Sequence, residues 1–265
     1  MIELSDVRLE TPSETPPGLD IARTSLFLDL DGTLAPIEAT PDAVGPAPLR
    51  TEILNALGKV LSGRLAVLSG RPIAEVDAIL QGAVANVAGQ HGLERRCAVG
   101  GLQHTPAHPA LAEVGELLDG FARVDRGLLV ERKSAAVAIH YRASPASGPA
   151  VLELVRRLAR EHELVLQEGR MVAELRTPGP DKGEALKAFM AVEPFAGSVP
   201  LMIGDDLTDE DAFASAIELG GAAILVGPPR PSLAQWRLTS PDALLSWLGA
   251  ALSTQQSLPF QETVS

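Results

Sequence analysis

The sequence predicts an α/β protein, a doubly wound parallel sheet with a small α+β domain inserted into it. Three observations lead there. Short apolar runs alternate with stretches of helical periodicity from residue 25 to about residue 103, and the same rhythm resumes at Thr177. Several of those runs end in polar, glycine-containing turns, as strands do at the rim of an open parallel sheet. The intervening stretch reads helix, strand, strand, helix, strand, strand, the order of a small sheet with helices on one face. At 265 residues and 46% apolar content the chain is long enough to bury a real core. Aromatics make up only 3%, so that core is built from Leu, Val, Ile and Ala.

Residues 1–24 are polar and contain Pro12, Pro16 and Pro17, which predicts a loose arm. The stretch from Ser25 to Leu34 reads as a buried first strand that ends in Asp29-Leu30-Asp31 and then turns on Gly32. Side chains alternate along a strand, so Asp29 and Asp31 share one side while Leu28 and Leu30 enter the core. Gly32 adopts backbone angles closed to other residues and lets the chain turn away, leaving both acids at a rim. A strand followed by an Asp-Gly turn would look the same over these few residues. Leu49, Ile53, Leu57, Val60 and Leu61 recur at helical spacing. Leu65 to Leu68 repeats the strand design and runs into Ser69-Gly70-Arg71-Pro72, with Pro72 where a helix's first turn tolerates it. Ile73, Val76, Ile79 and Leu80 continue that helix, and Val84 to Ala88 is a third strand leading to Gly89-Gln90-His91-Gly92. Strands and helices in alternation imply right-handed crossovers.

After an expected loop over residues 100–109, Leu111, Val114, Leu118 and Phe121 mark a helix. Two strand-like runs follow, Leu128 to Lys133 and Ala135 to Arg142, the second placing Val137, Ile139 and Tyr141 opposite Ala138, His140 and Arg142. Val151, Leu154, Val155 and Leu158 mark a helix, and Leu164 to Gln167 pairs with Met171 to Leu175 across Glu168-Gly169-Arg170. From residue 178 the first pattern returns: a helix opened by Asp181-Lys182-Gly183, a strand from Val199 to Ile203 running into Gly204-Asp205-Asp206, a helix through Phe213 and Ile217, a strand from Ala223 to Val226 and a helix from Leu244 to Leu252. The expected division is an arm over 1–24, a core over 25–103 and 178–252, an inserted domain over 104–177, and a flexible tail over 253–265.

The formal net charge of −12 opposes binding to nucleic acid or an anionic membrane. No apolar run approaches the roughly 18 residues that span a bilayer, and the N-terminus lacks the pattern of a signal peptide. With the single Cys97, which can form no internal disulfide, these features predict a cytoplasmic protein, expected to be a monomer acting on a small molecule.

Asp29 and Asp31, Ser69, Lys182, and the run Gly204 to Asp209 all fall at strand ends or helix starts of one parallel sheet, where the ligand crevice of such sheets lies. Carboxylates gathered there repel unless a cation joins them, and oxygen donors with no His or Cys among them point to Mg²⁺. An ammonium and a hydroxyl suit the remaining oxygens of a phosphoryl group. An acidic helix N-terminus is the alternative for the run ending at Asp209.

The order DLDGTL, SGR, DKG and GDDLTDEDAF resembles the haloacid dehalogenase (HAD) superfamily of aspartyl phosphotransferases. Between the second and third of these, Gly89 to Glu94, Glu131-Arg132-Lys133, His140-Tyr141-Arg142 and Ala173 to Arg176 resemble the trehalose-6-phosphate phosphatase family, and the match spans about residues 25 to 250. The resemblance implies a HAD-like, Rossmann-like core with an αββαββ cap. It implies Mg²⁺-dependent hydrolysis of trehalose 6-phosphate, the last step of trehalose biosynthesis, through an aspartyl-phosphate. Asp29 would be the nucleophile and Asp31 the acid and base. Mg²⁺ would sit on Asp29, Asp205 and the backbone carbonyl of Asp31, with Asp206 and Asp209 orienting waters or Lys182. Ser69 and Lys182 would meet the phosphoryl group, Gly70 and Arg71 would bind substrate, Glu131, Lys133, Glu174 and His91 would read the sugar, and Arg142 would reach the sugar or the phosphate. A solvated charged face is the alternative for the cap residues, and a structural hydrogen bond the alternative for His91. The core motifs would serve a sucrose-phosphate or mannosylglycerate-phosphate phosphatase equally well. A phospho-aspartate receiver also gathers acids, a hydroxyl and a lysine, but lacks an acid placed like Asp31 and an inserted lid. An inactive sugar-binding relative could dispense with Asp29 or Asp31, and both are present here.

Overall fold

The structure, a computed structural model, describes residues 11–12, 15–38, 40–169 and 171–256. In chain order these form β1 (Thr24–Leu28), α1 (Pro48–Val60), β2 (Leu65–Leu68), α2 (Ile73–Leu80), β3 (Asn86–Gly89), β4 (Glu94–Cys97) and β5 (Gly101–His104). Next come α3 (Leu111–Ala122), β6 (Leu129–Arg132), β7 (Ala136–His140), α4 (Gly148–Glu161), β8 (Val165–Gly169) and β9 (Val172–Arg176). The chain continues with α5 (Lys182–Met190), β10 (Val199–Gly204), α6 (Glu210–Glu218), β11 (Ala222–Val226), β12 (Trp236–Leu238) and α7 (Pro241–Gln256).

Every residue of β1 is buried, as a strand is when its sheet is covered on both faces. Leu26 and Leu28 pack with α1, α2 and α7 on one face, while Phe27 packs with Phe189 of α5, Phe213 of α6 and Phe195 on the other. The large sheet has the order β12-β11-β10-β1-β2-β3-β4-β5. From β12 to β3 the strands are parallel, and β4 and β5 finish the edge antiparallel. The chain travels one way through β1, β2 and β3 and the other way through β10, β11 and β12, and the first crossover helix, α1, lies on the face opposite α6. The order therefore reverses between β1 and β10, which opens a crevice at their carboxyl ends.

A second sheet, β6-β7-β9-β8, is antiparallel throughout. Val137, Ile139, Ala173 and Leu175 point to α3 and α4 and share an apolar cluster with Val114, Leu118, Val151 and Val155. Residues directly opposed across antiparallel strands share a face. Glu131, Ala138, Glu174 and Gln167 form one such row, and Leu129, His140, Val172 and Gly169 the next. Both rows are on the face that no helix covers.

The periodicity misreads several places. Helix α1 buries Arg50, Ile53, Leu54 and Leu57, whereas Leu49 is 62% exposed and Val60 is also exposed. Part of the loop expected over residues 100–109 is β5, an edge strand exposed at every position that has no apolar face to reveal it. Strand β4, sequence ERRC, is hidden for the same reason, and the three-residue β12 is too short to show a period. The expected arm is packed where it is described: Pro16 and Ile21 are buried, Thr24 opens β1, and Trp247 Nε1 donates to the Pro17 carbonyl at 3.2 Å. Helix α7 runs to Gln256, four residues past the expected end at Leu252, so the expected flexible tail begins in helix. Residues 1–10 and 257–265, the remaining ends of the expected arm and tail, lie outside the described residues, as does Arg170 of the expected turn.

Candidate active site

Past Leu28 the chain leaves β1 with Asp29, whose N–H donates to the Ile203 carbonyl at 2.9 Å and whose carboxylate is buried. The departure depends on Gly32, with φ at +92°. A Cβ there would lie 2.1 Å from Asp205 Oδ2, so any other residue collides with the neighbouring acid. Asp205 follows β10, and the turn Leu207–Asp209 brings Asp209 behind it.

Helix α5 delivers the cation. Asp181 Oδ1 accepts the Glu184 N–H at 2.9 Å, and Glu184 Oε2 accepts the Asp181 N–H at 3.3 Å, a capping box that fixes Lys182 at the first helical position. The Lys182 ammonium donates to Asp29 Oδ1 and to Asp209 Oδ1, both at 2.7 Å, with all three groups buried. Burial works against its charge, but Asp209 and Asp29 outweigh it and raise the pKa. Burial lifts the Asp29 carboxyl well above the usual range despite Lys182. Asp205 is pushed up to about 7 by burial and by Asp209 and Asp206.

Asp29, Asp205 and Asp209 offer oxygens within 4.8 Å of one another. Asp209 is fully engaged, since its Oδ2 accepts the N–H groups of Asp205 and Asp206 at 2.9 and 3.0 Å. Asp29 and Asp205 keep oxygens available, and an all-carboxylate donor set fits a hard divalent cation.

Across the crevice Arg71 grips Asp31 side-on, Nε to Oδ2 and Nη2 to Oδ1 both at 2.7 Å, while its Nη1 reaches Glu75 at 3.3 Å. Ser69 Oγ accepts the Arg71 N–H at 3.1 Å. A cavity of about 330 Å³ opens between the sheets. Asp29, Asp31, Lys182, Asp205 and Asp206 line it from the core, as do Gly70, Arg71 and His91. Glu131, Lys133, Arg142 and Glu174 line it from the small sheet. Ser69 and Asp209 are buried and do not line it.

The small sheet's wall is tied together. His140 Nε2 and Glu131 Oε2 are 2.7 Å apart. Burial alone would raise the Glu131 carboxyl, but His140 and Lys133 more than offset that and lower it. Lys133 Nζ pairs with Glu174 and donates to the Gly70 carbonyl at 3.1 Å, and Arg142 Nη1 donates to the Glu38 carbonyl. His91 is held neutral by burial and by nearby Lys182 and Lys133. Its Nδ1 and the Glu174 Oε1 are buried with no hydrogen-bond partner in the protein. Sequence reasoning gave no role to His140, whose alternation put it with Ala138, and the register that brings this face to Glu131 shows only in the structure. Nor did it find Arg230, whose Nη1 pairs with Glu210 and whose Nη2 donates to the Asp206 carbonyl at 2.8 Å, bracing the Asp205 loop. No spacing marks it.

A doubly wound sheet with this acid cluster at its switch point and an inserted sheet over the cavity is the HAD phosphatase fold. A phosphatase of the HAD superfamily from Bacteroides thetaiotaomicron superposes with a TM-score of 0.58 at 16% identity, covering 89% of this chain and 98% of that one. The C-terminal domain of the Candida albicans trehalose-6-phosphate phosphatase superposes at 0.78 with 23% identity, covering 92% of this chain and 99% of that one. The family model described as trehalose-phosphatase matches residues 27–242. The trehalose-6-phosphate phosphatase of Escherichia coli (strain K12) is 37% identical over 230 residues, 86% of each chain. The chain belongs to the trehalose-phosphatase family and is a phosphatase.

Proposed function

We propose that the protein hydrolyses trehalose 6-phosphate to trehalose and phosphate, carrying the phosphoryl group on Asp29. One observation carries the reading: a single cavity is lined by Asp29, Asp31 and Lys182 from the core and by Glu131, Lys133 and Glu174 from the inserted sheet. A phosphate and the sugar attached to it fit that division.

Asp29 attacks phosphorus as the bond to the sugar oxygen breaks, and Asp31 gives that oxygen a proton. Asp31 then takes a proton from the water that cleaves the aspartyl-phosphate, which frees phosphate and restores Asp29. Because Arg71 holds both Asp31 oxygens, one must be released before it can serve the sugar oxygen. Lys182 fixes the Asp29 rotamer, and Ser69, beneath the cavity, fixes the backbone of Arg71 by accepting its N–H. Mg²⁺ held by Asp29, Asp205 and the Asp31 carbonyl would neutralise the phosphoryl oxygens and allow two anions to meet. Where the two walls meet, the unpartnered Glu174 Oε1 and neutral His91 Nδ1 are suited to sugar hydroxyls.

Among the described residues no helix is long and apolar enough to cross a membrane. A free, buried Cys97 suits the cytoplasm.

Trapping the intermediate tests the chemistry. With labelled trehalose 6-phosphate and Mg²⁺, wild type should form an acid-stable, base-labile phosphoenzyme that Asp29→Asn does not. Label retained by Asp29→Asn would remove Asp29 as the nucleophile.

A further inference from the structure

We infer that Gln90 is the joint that sets the sugar-reading sheet over the crevice, a positioning residue for substrate selection. This rests on the proposed function for its substrate, but its geometry stands apart. Gln90 directly follows β3, is fully buried and does not line the cavity. It has a φ of +47° and His91 one of +57°, two successive non-glycine residues in the left-handed region. Such a pair persists only where surrounding bonds over-determine it.

Those bonds run in two directions. The backbone ties the turn to the core, with the Gln90 N–H donating to the Arg71 carbonyl and the His91 N–H to the Ser69 carbonyl, both at 2.9 Å. The side-chain amide reaches the other sheet. Its Oε1 accepts the Ala135 N–H at 3.0 Å, and its Nε2 donates to Ser134 Oγ at 2.5 Å and to Glu94 Oε1. Ser134 Oγ donates to the same Glu94 oxygen at 2.9 Å, and Glu94 Oε2 accepts the Ile73 N–H at 3.0 Å, at the start of α2. The amide's carbonyl and both N–H groups are engaged, so turning the side chain breaks every bond at once.

Ser134 and Ala135 form the connection between β6 and β7, immediately after Lys133. The Ala135 carbonyl accepts the Thr177 N–H at 2.9 Å, where the chain leaves β9 for the core. Gln90 thus grips the β6–β7 turn of the small sheet beside the point where the chain leaves that sheet for the core. Glu131 and Lys133 extend from that point along one face, so a shift at the joint moves both against a fixed phosphate site.

Gln90→Met keeps side-chain length and removes the three bonds. With trehalose 6-phosphate its KM should rise about 10-fold or more, while hydrolysis of para-nitrophenyl phosphate stays within about 2-fold, since only a substrate with a distal ring uses the displaced groups. Ser134→Ala, at an exposed position, should move KM the same way by less, and the double variant should fall short of the product of the two. Amide exchange at Ala135 and Thr177 should quicken in Gln90→Met whatever the substrate. Equal losses on both substrates would make Gln90 a support of the fold alone, and unchanged KM with unchanged exchange would overturn the joint. If wild type shows no preference for trehalose 6-phosphate but exchange still quickens, the substrate reading fails and the joint stands.

Discussion

Asp31 and Asp205 show at the level of single residues what the environment adds to a motif. Asp31 lies in the bidentate grip of Arg71, and in the proposed reaction it must let go of that partner and carry a proton before it can give one to the sugar oxygen. Asp31→Asn should therefore lower turnover of trehalose 6-phosphate by at least about 10²-fold with KM little changed, and wild-type turnover in that variant would exclude the role. For Asp205 the sign is set by a raised pKa. Folded, it holds its proton up to about 7, while the unfolded chain releases it near 3.9, so ionisation over that window destabilises the metal-free protein. A cation on the ionised site reverses that penalty. The rise in Tm on replacing EDTA with Mg²⁺ should then grow between pH 5.5 and pH 8. Neutral His91 acts the other way, with stability lost as pH falls below about 6.5, but it does so with or without Mg²⁺ and cancels in the difference. A difference in Tm that is flat with pH would contradict the assignment. The acids were legible because strand ends and an Asp-Gly turn announce themselves locally. Arg71's grip on Asp31 was not, because a contact across 40 residues leaves no mark in spacing.

Among the elements, the four-stranded sheet has the clearest division of labour. Register alone puts Glu131, Glu174 and Gln167 in one row and Leu129, His140 and Val172 in the next, both on the face away from α3 and α4. The two faces of β7 were readable from the alternation of Val137, Ile139 and Tyr141, because a sheet packed on one side must reveal a period of two, but the rows across strands depend on a register that the sequence does not mark. The edge strand β5 and its neighbour β4 show no such period, and their exposed or charged residues hid them. If the bare face reads sugar, Glu131→Ala should lower kcat/KM for trehalose 6-phosphate by roughly 10-fold or more and barely alter para-nitrophenyl phosphate hydrolysis. Parallel losses on the two would assign Glu131 to the fold. No loss on either would mean a solvated face.

At the scale of the molecule, a chain with net charge −12 gathers Arg71, Lys133, Arg142 and Lys182 around one cavity. The general field repels anions, and the carboxylates lining the cavity outnumber these cations, so an anionic substrate is received through individual cationic groups and not through the net charge of the site. On the proposed reading the core sheet supplies phosphoryl chemistry that any sugar phosphate could use, and selection would fall to the inserted sheet. A site whose buried polar atoms await hydroxyls leaves them unpaired when the distal ring is missing, and that makes discrimination large. The direct measurement is phosphate release by wild type, with Mg²⁺ and with EDTA, from trehalose 6-phosphate, glucose 6-phosphate, sucrose phosphate and mannosylglycerate phosphate. The account predicts Mg²⁺-dependent release with kcat/KM for trehalose 6-phosphate at least about 10²-fold above the others. Comparable rates across the panel, or full turnover in EDTA, would contradict it.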